Sequence, residues 1–329
     1  MKKILSLSTL LLFAGFAILQ SCKPHAKTPV IGLLMDQFNV ERWASDTTYF
    51  IKAVENLGGK TICLAAYGDA DKQMEQAKML LKKNVDVIVI VPVDSKKAAD
   101  IVLMVKREPF KHIIAYDRLI QNAYLDYYIS FDNAKVGELQ ANYIITRLQK
   151  GNIALIGGPP TDENSYYLRS GQMTFLQPYI ERGDIKIVYD KMVGAWTFEE
   201  GYRLAKECLL NNQVDAIIAG NDLLARGAIK ALQEKGLAGK VLVAGQDADS
   251  QARENIVLGL QSMSVYKPIS DIATNAARMA VELANGNDFC HTTCLLNNGY
   301  KMVPSLLLSP TVVNKGNIGM EIITDKKAE

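Results

Sequence analysis

From residue 30 onward the chain alternates short, almost wholly apolar runs rich in β-branched residues with stretches whose apolar residues recur three and four apart. Runs at 30–36, 61–66, 85–93, 112–117 and 127–132 form one series, and runs at 152–158, 185–193, 216–221 and 241–247 form a second. Stretches such as 72–83 and 196–210 carry the helical spacing between them. A strand that is apolar along its whole length is buried on both faces, and strands of that kind alternating with helices indicate parallel sheets. Two such series, parted near 132–135, predict an α/β fold of two similar doubly wound parallel-sheet lobes. The length of 329 residues fits two domains, at about 150 residues each.

Composition excludes some functions. With 49% apolar and 22% charged residues the chain has ample surface to bury and is neither disordered nor collagen-like. Lys and Arg number 37 against 35 Asp and Glu. Without Lys2 and Lys3, which belong to a leader, the balance is 35 − 35 = 0. Nucleic-acid affinity depends on neutralising phosphates, so a neutral chain is not expected to bind nucleic acid.

The leader is residues 1–21. Lys2 and Lys3 precede an apolar run at 4–19, which is shorter than the roughly 20 residues a bilayer span needs but suits the core of a secretory signal. Leu19-Gln20-Ser21-Cys22 resembles a bacterial lipoprotein box. That resemblance implies a lipoprotein signal peptide at 1–21, lipidation of Cys22, a tether at 22–29 and a periplasmic location on a bacterial membrane. A plain signal peptide or an uncleaved anchor is the alternative. No later apolar run is long enough to span, so the membrane is met through the lipid alone.

Of the other cysteines, Cys63 and Cys208 fall in apolar runs and read as buried thiols. Cys290 and Cys294 flank His291 in a loop-like segment, where a small disulfide, free thiols or zinc are all open. With only three histidines, at positions 25, 112 and 291, no metal site is expected, and no cofactor.

Run after run ends in polar side chains: Asp36, Asp117-Arg118, Asp132-Asn133, Asn221-Asp222, Gln246-Asp247. Ligands of open parallel sheets bind beyond the carboxyl ends of the strands. A single Asp or Asn there also serves as a helix N-cap, but companions such as Arg118 have no role in capping. Phosphate-binding glycine loops, nucleophile elbows and H-E-x-x-H are all missing. A glycosidase needs two carboxyl groups at set separations, which spacing does not exclude. Acids accompanied by Arg and Asn nonetheless favour ionised acceptors over a proton-donating acid, and binding over catalysis. The two tryptophans of the chain, Trp43 and Trp196, each follow a strand-like run, one in each series. They read either as two plates covering the C–H faces of a sugar ring or as ordinary half-buried residues.

These residues carry a resemblance. Glu41-Arg42-Trp43, Ala115-Tyr116-Asp117-Arg118, Tyr128-Ile129-Ser130-Phe131-Asp132-Asn133, Gly245-Gln246-Asp247-Ala248-Asp249, Val265-Tyr266-Lys267-Pro268 and Leu296-Asn297-Asn298-Gly299 resemble, in order, the xylose-binding group of the type I periplasmic binding proteins that feed ABC importers. The resemblance implies a hinged protein without enzymatic activity, closing on a monosaccharide, D-xylose or a related pyranose. The chain would cross between lobes three times. This gives an N-terminal sugar-binding lobe of 28–132 plus 266–297 and a C-terminal one of 133–265 plus 298–329. It implies sugar contacts from Arg42, Trp43, Asp117 and Arg118 on one side. From the other come Asn164, Trp196, Asn221 and Asp247, with Lys267 at a crossing. Asp162 and Arg169 are further contacts, with a helix cap as the alternative for Asp162 and the fixing of a neighbouring acid as the alternative for Arg169. The acids would accept from hydroxyls, Arg42, Arg118 and Lys267 would donate, and Asn164 and Asn221 would orient. Gln37 and Asn39 stand where that group commonly has acidic and basic residues. The partner would be an ABC permease or, alternatively, a sensor kinase in the membrane.

Overall fold

A computed structural model describes residues 27–319. The leader and Cys22 therefore lie outside the described residues. The first sheet forms from β1 (Val30–Met35), β2 (Lys60–Ala65), β3 (Val87–Ile90), β4 (His112–Tyr116) and β5 (Tyr127–Phe131). Helices α1 (Glu41–Asn56), α2 (Ala70–Lys82) and α3 (Ala98–Arg107) alternate with its first four strands. The second follows with α4 (Asn133–Leu148), β6 (Gly151–Gly157), α5 (Asn164–Glu181), β7 (Ile185–Met192), α6 (Phe198–Asn211) and β8 (Ala216–Ala219). It continues with α7 (Asp222–Glu234), β9 (Leu242–Gln246), α8 (Ser250–Leu258) and β10 (Met263–Tyr266). The chain closes with α9 (Ile269–Ala284), β11 (Cys294–Asn297), β12 (Met302–Leu308) and β13 (Thr311–Asn314).

The strand orders are β11-β12-β5-β4-β3-β1-β2 and β13-β10-β9-β8-β6-β7. All pairings are parallel except β11 with β12 and β10 with β13. Successive residues of a strand point to opposite faces, and both faces of the first sheet are apolar. Ile31, Leu33 and Met35 pack with Val87 and Val89 under α1 and α9, whereas Leu34, Ile88 and Ile90 pack under α2 and α3. The second sheet repeats the plan, with α6 and α7 on one face and α4 and α5 on the other. Strands covered on both sides read as unbroken apolar runs for this reason, and every strand-like run in the sequence coincides with one of β1–β9.

The expected third crossing near Asn298 is displaced. β12 pairs in parallel with β5, from Ser305 opposite Tyr128 to Leu308 opposite Phe131, so 302–308 belong to the first sheet and the chain leaves it after Leu308. Asn298 is instead fully buried at the far end of that lobe, donating to the Ile120 and Ala123 carbonyls at 3.0 and 2.8 Å. β13 then returns to the second sheet beside β10. The disulfide between Cys290 and Cys294 is not formed. Both are free thiols, because Cys294 is held in the β11–β12 ladder opposite Ser305 while Cys290 turns its sulphur towards the Asp288 carbonyl. Among the described residues no helix is long and apolar enough to cross a membrane, and no group of His, Cys, Asp and Glu could hold a metal.

Candidate functional site

The carboxyl ends of the two sheets face each other, and each presents an aspartate in the left-handed region. Asp117, just beyond β4, has φ of 63°, and Asp247, just beyond β9, has φ of 96°. Asp and Asn adopt this conformation more readily than other side chains. The backbone around each acid is pinned in the same way. Asp117 N–H donates to Ile129 O on β5 at 2.7 Å, and Asp247 N–H donates to Val265 O on β10 at 2.8 Å. The neighbouring parallel strand thus fixes each carboxylate at the mouth of its own sheet.

Between the two acids lies Arg42, in the first turn of α1. Its guanidinium contacts Asp117 directly, Asp247 at 3.3 Å and Asp46, one helical turn on, at 3.5 Å. Lys267, at the crossing after β10, reaches Asp247 at 2.7 Å and donates to Gln246 Oε1 at 3.0 Å. A second ion-paired set lies alongside. Arg118 meets Asp36 of its own lobe at 3.0 Å and Asp162 of the other at 2.8 Å. Asp162 also accepts from the Trp196 indole N–H at 3.0 Å and from the Asn164 backbone N–H at 3.0 Å. The lobes meet again where Asn164 donates to the Asp117 carbonyl at 3.0 Å and accepts from Asn133 at 2.9 Å.

These charges are buried, and the balance of burial against partners differs from one to the next. Burial alone would raise the Asp247 carboxyl, but Lys267 and Arg42 outweigh it and hold it below the ordinary range. Burial also opposes the charge on Arg42, yet Asp117, Asp46 and Asp247 overcome it and keep the guanidinium protonated. Asp46 goes the other way. It is 1% exposed and burial pushes it up to about 7, against the opposing pull of Arg42 and a hydrogen bond from the Tyr116 hydroxyl. Asp162 is likewise raised by burial, with Arg118 opposing.

The tryptophans differ in setting. Trp43 is 5% exposed and packs into the core of the first lobe, with the Arg42 and Arg118 guanidinium groups 4.6 and 5.5 Å from its ring centroid. Trp196 is half-buried against both cores of the second lobe. Its ring rests over Gly158 and Gly220, where an added Cβ would come within 2.0 and 2.8 Å of it. Each tryptophan is thus packed against its lobe, and each also lines the cleft. Asn221 is similarly double: its side chain caps α7 by accepting from Leu224 N–H at 3.0 Å, and it borders the cleft. The result is a charged interlobe cleft of acceptors, donors and two indoles. It can bind a small polyhydroxy compound by charge-assisted hydrogen bonds.

A family model described as a periplasmic binding protein domain matches residues 31–288. The chain belongs to the periplasmic binding protein family. It is 44% identical over 324 residues to the D-xylose-binding periplasmic protein of Escherichia coli (strain K12), covering 98% of this chain and 96% of that protein. It is 43% identical over 320 residues to the protein of the same name from Haemophilus influenzae, covering 97% and 96%. Among solved structures, an ABC transporter solute binding protein from Clostridium phytofermentans with bound β-D-glucose superposes with a TM-score of 0.83 at 24% identity. That match covers 91% of this chain and 98% of the other and bears on the fold alone. A carbohydrate transporter solute binding protein from Chloroflexus aurantiacus in complex with D-glucose reaches 0.83 at 25% identity, covering 90% and 96%. Members of this family carry solutes without transforming them, and the chain is a binding protein, not an enzyme.

In this periplasmic binding protein the cleft is lined by Arg42, Trp43, Asp117, Arg118, Asp162, Asn164, Trp196, Asn221, Asp247 and Lys267. Arg169 is the exception: its guanidinium pairs with Asp190 of β7 at 2.9 Å and takes no part in the lining. An arginine on α5 reaches across to the edge strand of its own sheet more easily than over the strand ends. Four lining residues carry no assigned role in the sequence reading: Gln37, Val40, Leu223 and Gln246. The two glutamines were discoverable, since each sits beside a strand-end aspartate. Val40 and Leu223 are ordinary apolar residues at helix starts and give no signal.

Proposed function

We propose that this protein captures a single pyranose, D-xylose first among candidates, in the interlobe cleft and delivers it to an ABC importer. The observation that carries the proposal is the Arg42 guanidinium shared between Asp117 of one lobe and Asp247 of the other. A ligand reaching those three groups must touch both lobes, and its binding energy then favours the closed state. Asp117 and Asp247 accept hydroxyl protons, Arg42, Arg118 and Lys267 donate, Asn164 and Asn221 orient the ring, and Asp162 fixes the Trp196 indole that covers one sugar face. Trp43 serves from beneath the guanidinium groups. Identity of 44% and 43% to two D-xylose-binding periplasmic proteins supports the choice of sugar.

The lobes in this reading are 28–132 plus 266–308 and 133–265 plus the chain after 308. The signal at 1–21 is removed and Cys22 carries a lipid that holds the protein on the periplasmic side of its membrane. Isothermal titration against a panel of pentoses and hexoses tests the sugar. Saturable binding with D-xylose strongest is expected, and absence of heat with every monosaccharide refutes the proposal. Intact mass of the protein isolated from cell membranes tests the lipid.

A further inference from the structure

Opposite the cleft, strands of the first sheet begin at a common end: Val30 stands in register with Lys60, Val87 with His112 and Ile114 with Tyr127. The segments that feed them are 27–30, 55–60, 82–86, 106–111, 122–126 and 285–301, and they are laced side by side. Lys27 pairs with Asp86, Lys111 donates to Asn84 at 2.8 Å, and Lys106 pairs with Asp126. These segments hold eight Lys and Arg against five Asp and Glu, in a chain that is neutral as a whole once Lys2 and Lys3 are set aside. Two of the five acids are drawn inward. Asp86 accepts from the Val30 backbone N–H at 2.9 Å and Asp126 from that of Ile113 at 2.7 Å. Lys60, Lys82, Lys83 and Arg107 are exposed.

Aromatic residues stand among these cations. Phe110 is 94% exposed on the turn between Arg107 and Lys111. Tyr124 and Tyr300 are exposed and meet edge to face with centroids 6.1 Å apart, and the Lys301 and Lys106 ammonium groups lie 4.3 and 5.6 Å from the Tyr124 ring centroid. Exposed aromatics interspersed with basic side chains suit the boundary of an anionic bilayer, where rings enter the headgroup layer and cations meet phosphates. The start of the described chain lies at the same end, with Lys27 bonded to Asp86. It is five positions beyond Cys22, a reach of at most roughly 18 Å.

We propose that this end of the first lobe is an anionic-lipid-binding face that seats the protein on its own membrane, with Phe110 at the headgroup boundary. The proposal rests on the reading of Cys22 as the lipidated residue, because a lipid there draws this end to within a short tether of the bilayer. Seated in this way, the protein holds its cleft at the far end of the strands, clear of the surface. A weak, salt-sensitive seat can be left again when the protein engages a permease.

The test uses the full protein isolated from cell membranes, mixed with vesicles of phosphatidylethanolamine and phosphatidylglycerol or of phosphatidylcholine alone, and followed by hydrogen exchange. Amides within 55–60 and 106–111 are expected to exchange several-fold more slowly on the anionic vesicles than on the neutral ones, and to lose this protection at high salt. A Lys60→Glu, Lys83→Glu, Phe110→Ser variant is expected to lose the protection while keeping its D-xylose affinity, which reports that it is folded. Equal exchange on both vesicle types, or equal protection in the variant, overturns the proposal, as does protection that appears only in the presence of membrane proteins. Intact mass separates the two readings. An acyl-bearing protein without protection refutes the face alone, whereas a protein without acyl refutes the anchor and leaves the exchange result to decide the face.

Discussion

Arg42 Nη1 lies 3.3 Å from Asp247 Oδ1, and the two residues come from opposite lobes, one from the start of α1 and the other from beyond β9. Lys267 approaches the same carboxylate oxygen at 2.7 Å. Asp247 is therefore the acceptor on which two basic groups of the cleft, Arg42 and Lys267, converge, and the Arg42 contact joins the two lobes.

Asp247→Asn keeps the shape and removes the charge. A hydrogen bond to a charged group contributes about 1.5–3 kcal/mol, so monosaccharide affinity should fall by about 10- to 150-fold. Isothermal titration reads the loss. Unchanged affinity would remove Asp247 from the site.

Gly158→Ala tests Trp196 without touching the indole. The added Cβ would come within 2.0 Å of the Trp196 ring and 2.4 Å of Ser165 Oγ, so the ring must shift out of its place. Overpacking of this sort costs about 1–3 kcal/mol of stability. The expected outcome is a moderately lowered melting temperature, altered tryptophan emission and a loss of sugar affinity of at least about tenfold for 1.4 kcal/mol. Wild-type affinity in a variant with shifted emission would show that the indole does not cover the sugar.

Stability should fall as pH rises towards neutrality. Burial lifts Asp46 in the folded state from 3.8 to about 7, so between those values the folded protein holds a proton that the unfolded chain has released. Its contribution is fully present below about 3.8 and lost as pH rises through about 7. Asp222, raised by burial and by Asp249 and Asp247, acts in the same direction. Melting temperature measured from pH 5 to 8 should decline, and Asp46→Asn should flatten that decline. An identical slope in the variant would mean that Asp46 does not hold the proton.

Glu41 forms a latch outside the sugar site. It accepts from the Ser250 hydroxyl and from Ser250 N–H at 3.2 Å, and lies 3.9 Å from Arg253, all on α8 of the other lobe. The group is half exposed, and contacts of this kind are worth about 0.2–1 kcal/mol. Glu41→Ala should weaken sugar binding only about two- to fivefold, mostly through faster release. A loss as large as that of Asp247→Asn would place Glu41 in the site itself.

The strand-end residues were legible because parallel sheets impose a rule on sequence: apolar along the strand, polar where it emerges. Asp117, Asn221 and Asp247 follow from that rule alone. Arg169 takes the alternative open to it, fixing an acid, but which acid was not legible, because Asp190 is 21 positions away on a strand whose edge position no local pattern discloses. β12 was missed for a similar reason, since a run at 302–308 can join either sheet until its register with β5 is known.

The sequence by itself determined the two-lobed α/β plan and the polar strand ends, since burial and solvent exposure repeat at periods a single segment can display. Arg42, Asn164 and Lys267 were implied by the family resemblance and not by any period. Only the tertiary structure decided which lobe receives 302–308, that Trp43 lies beneath two guanidinium groups, and that Asp46 is buried beside Arg42. Each of these depends on distances between segments far apart in the chain, and such distances are set by how helices pack on sheets rather than by any one stretch of residues.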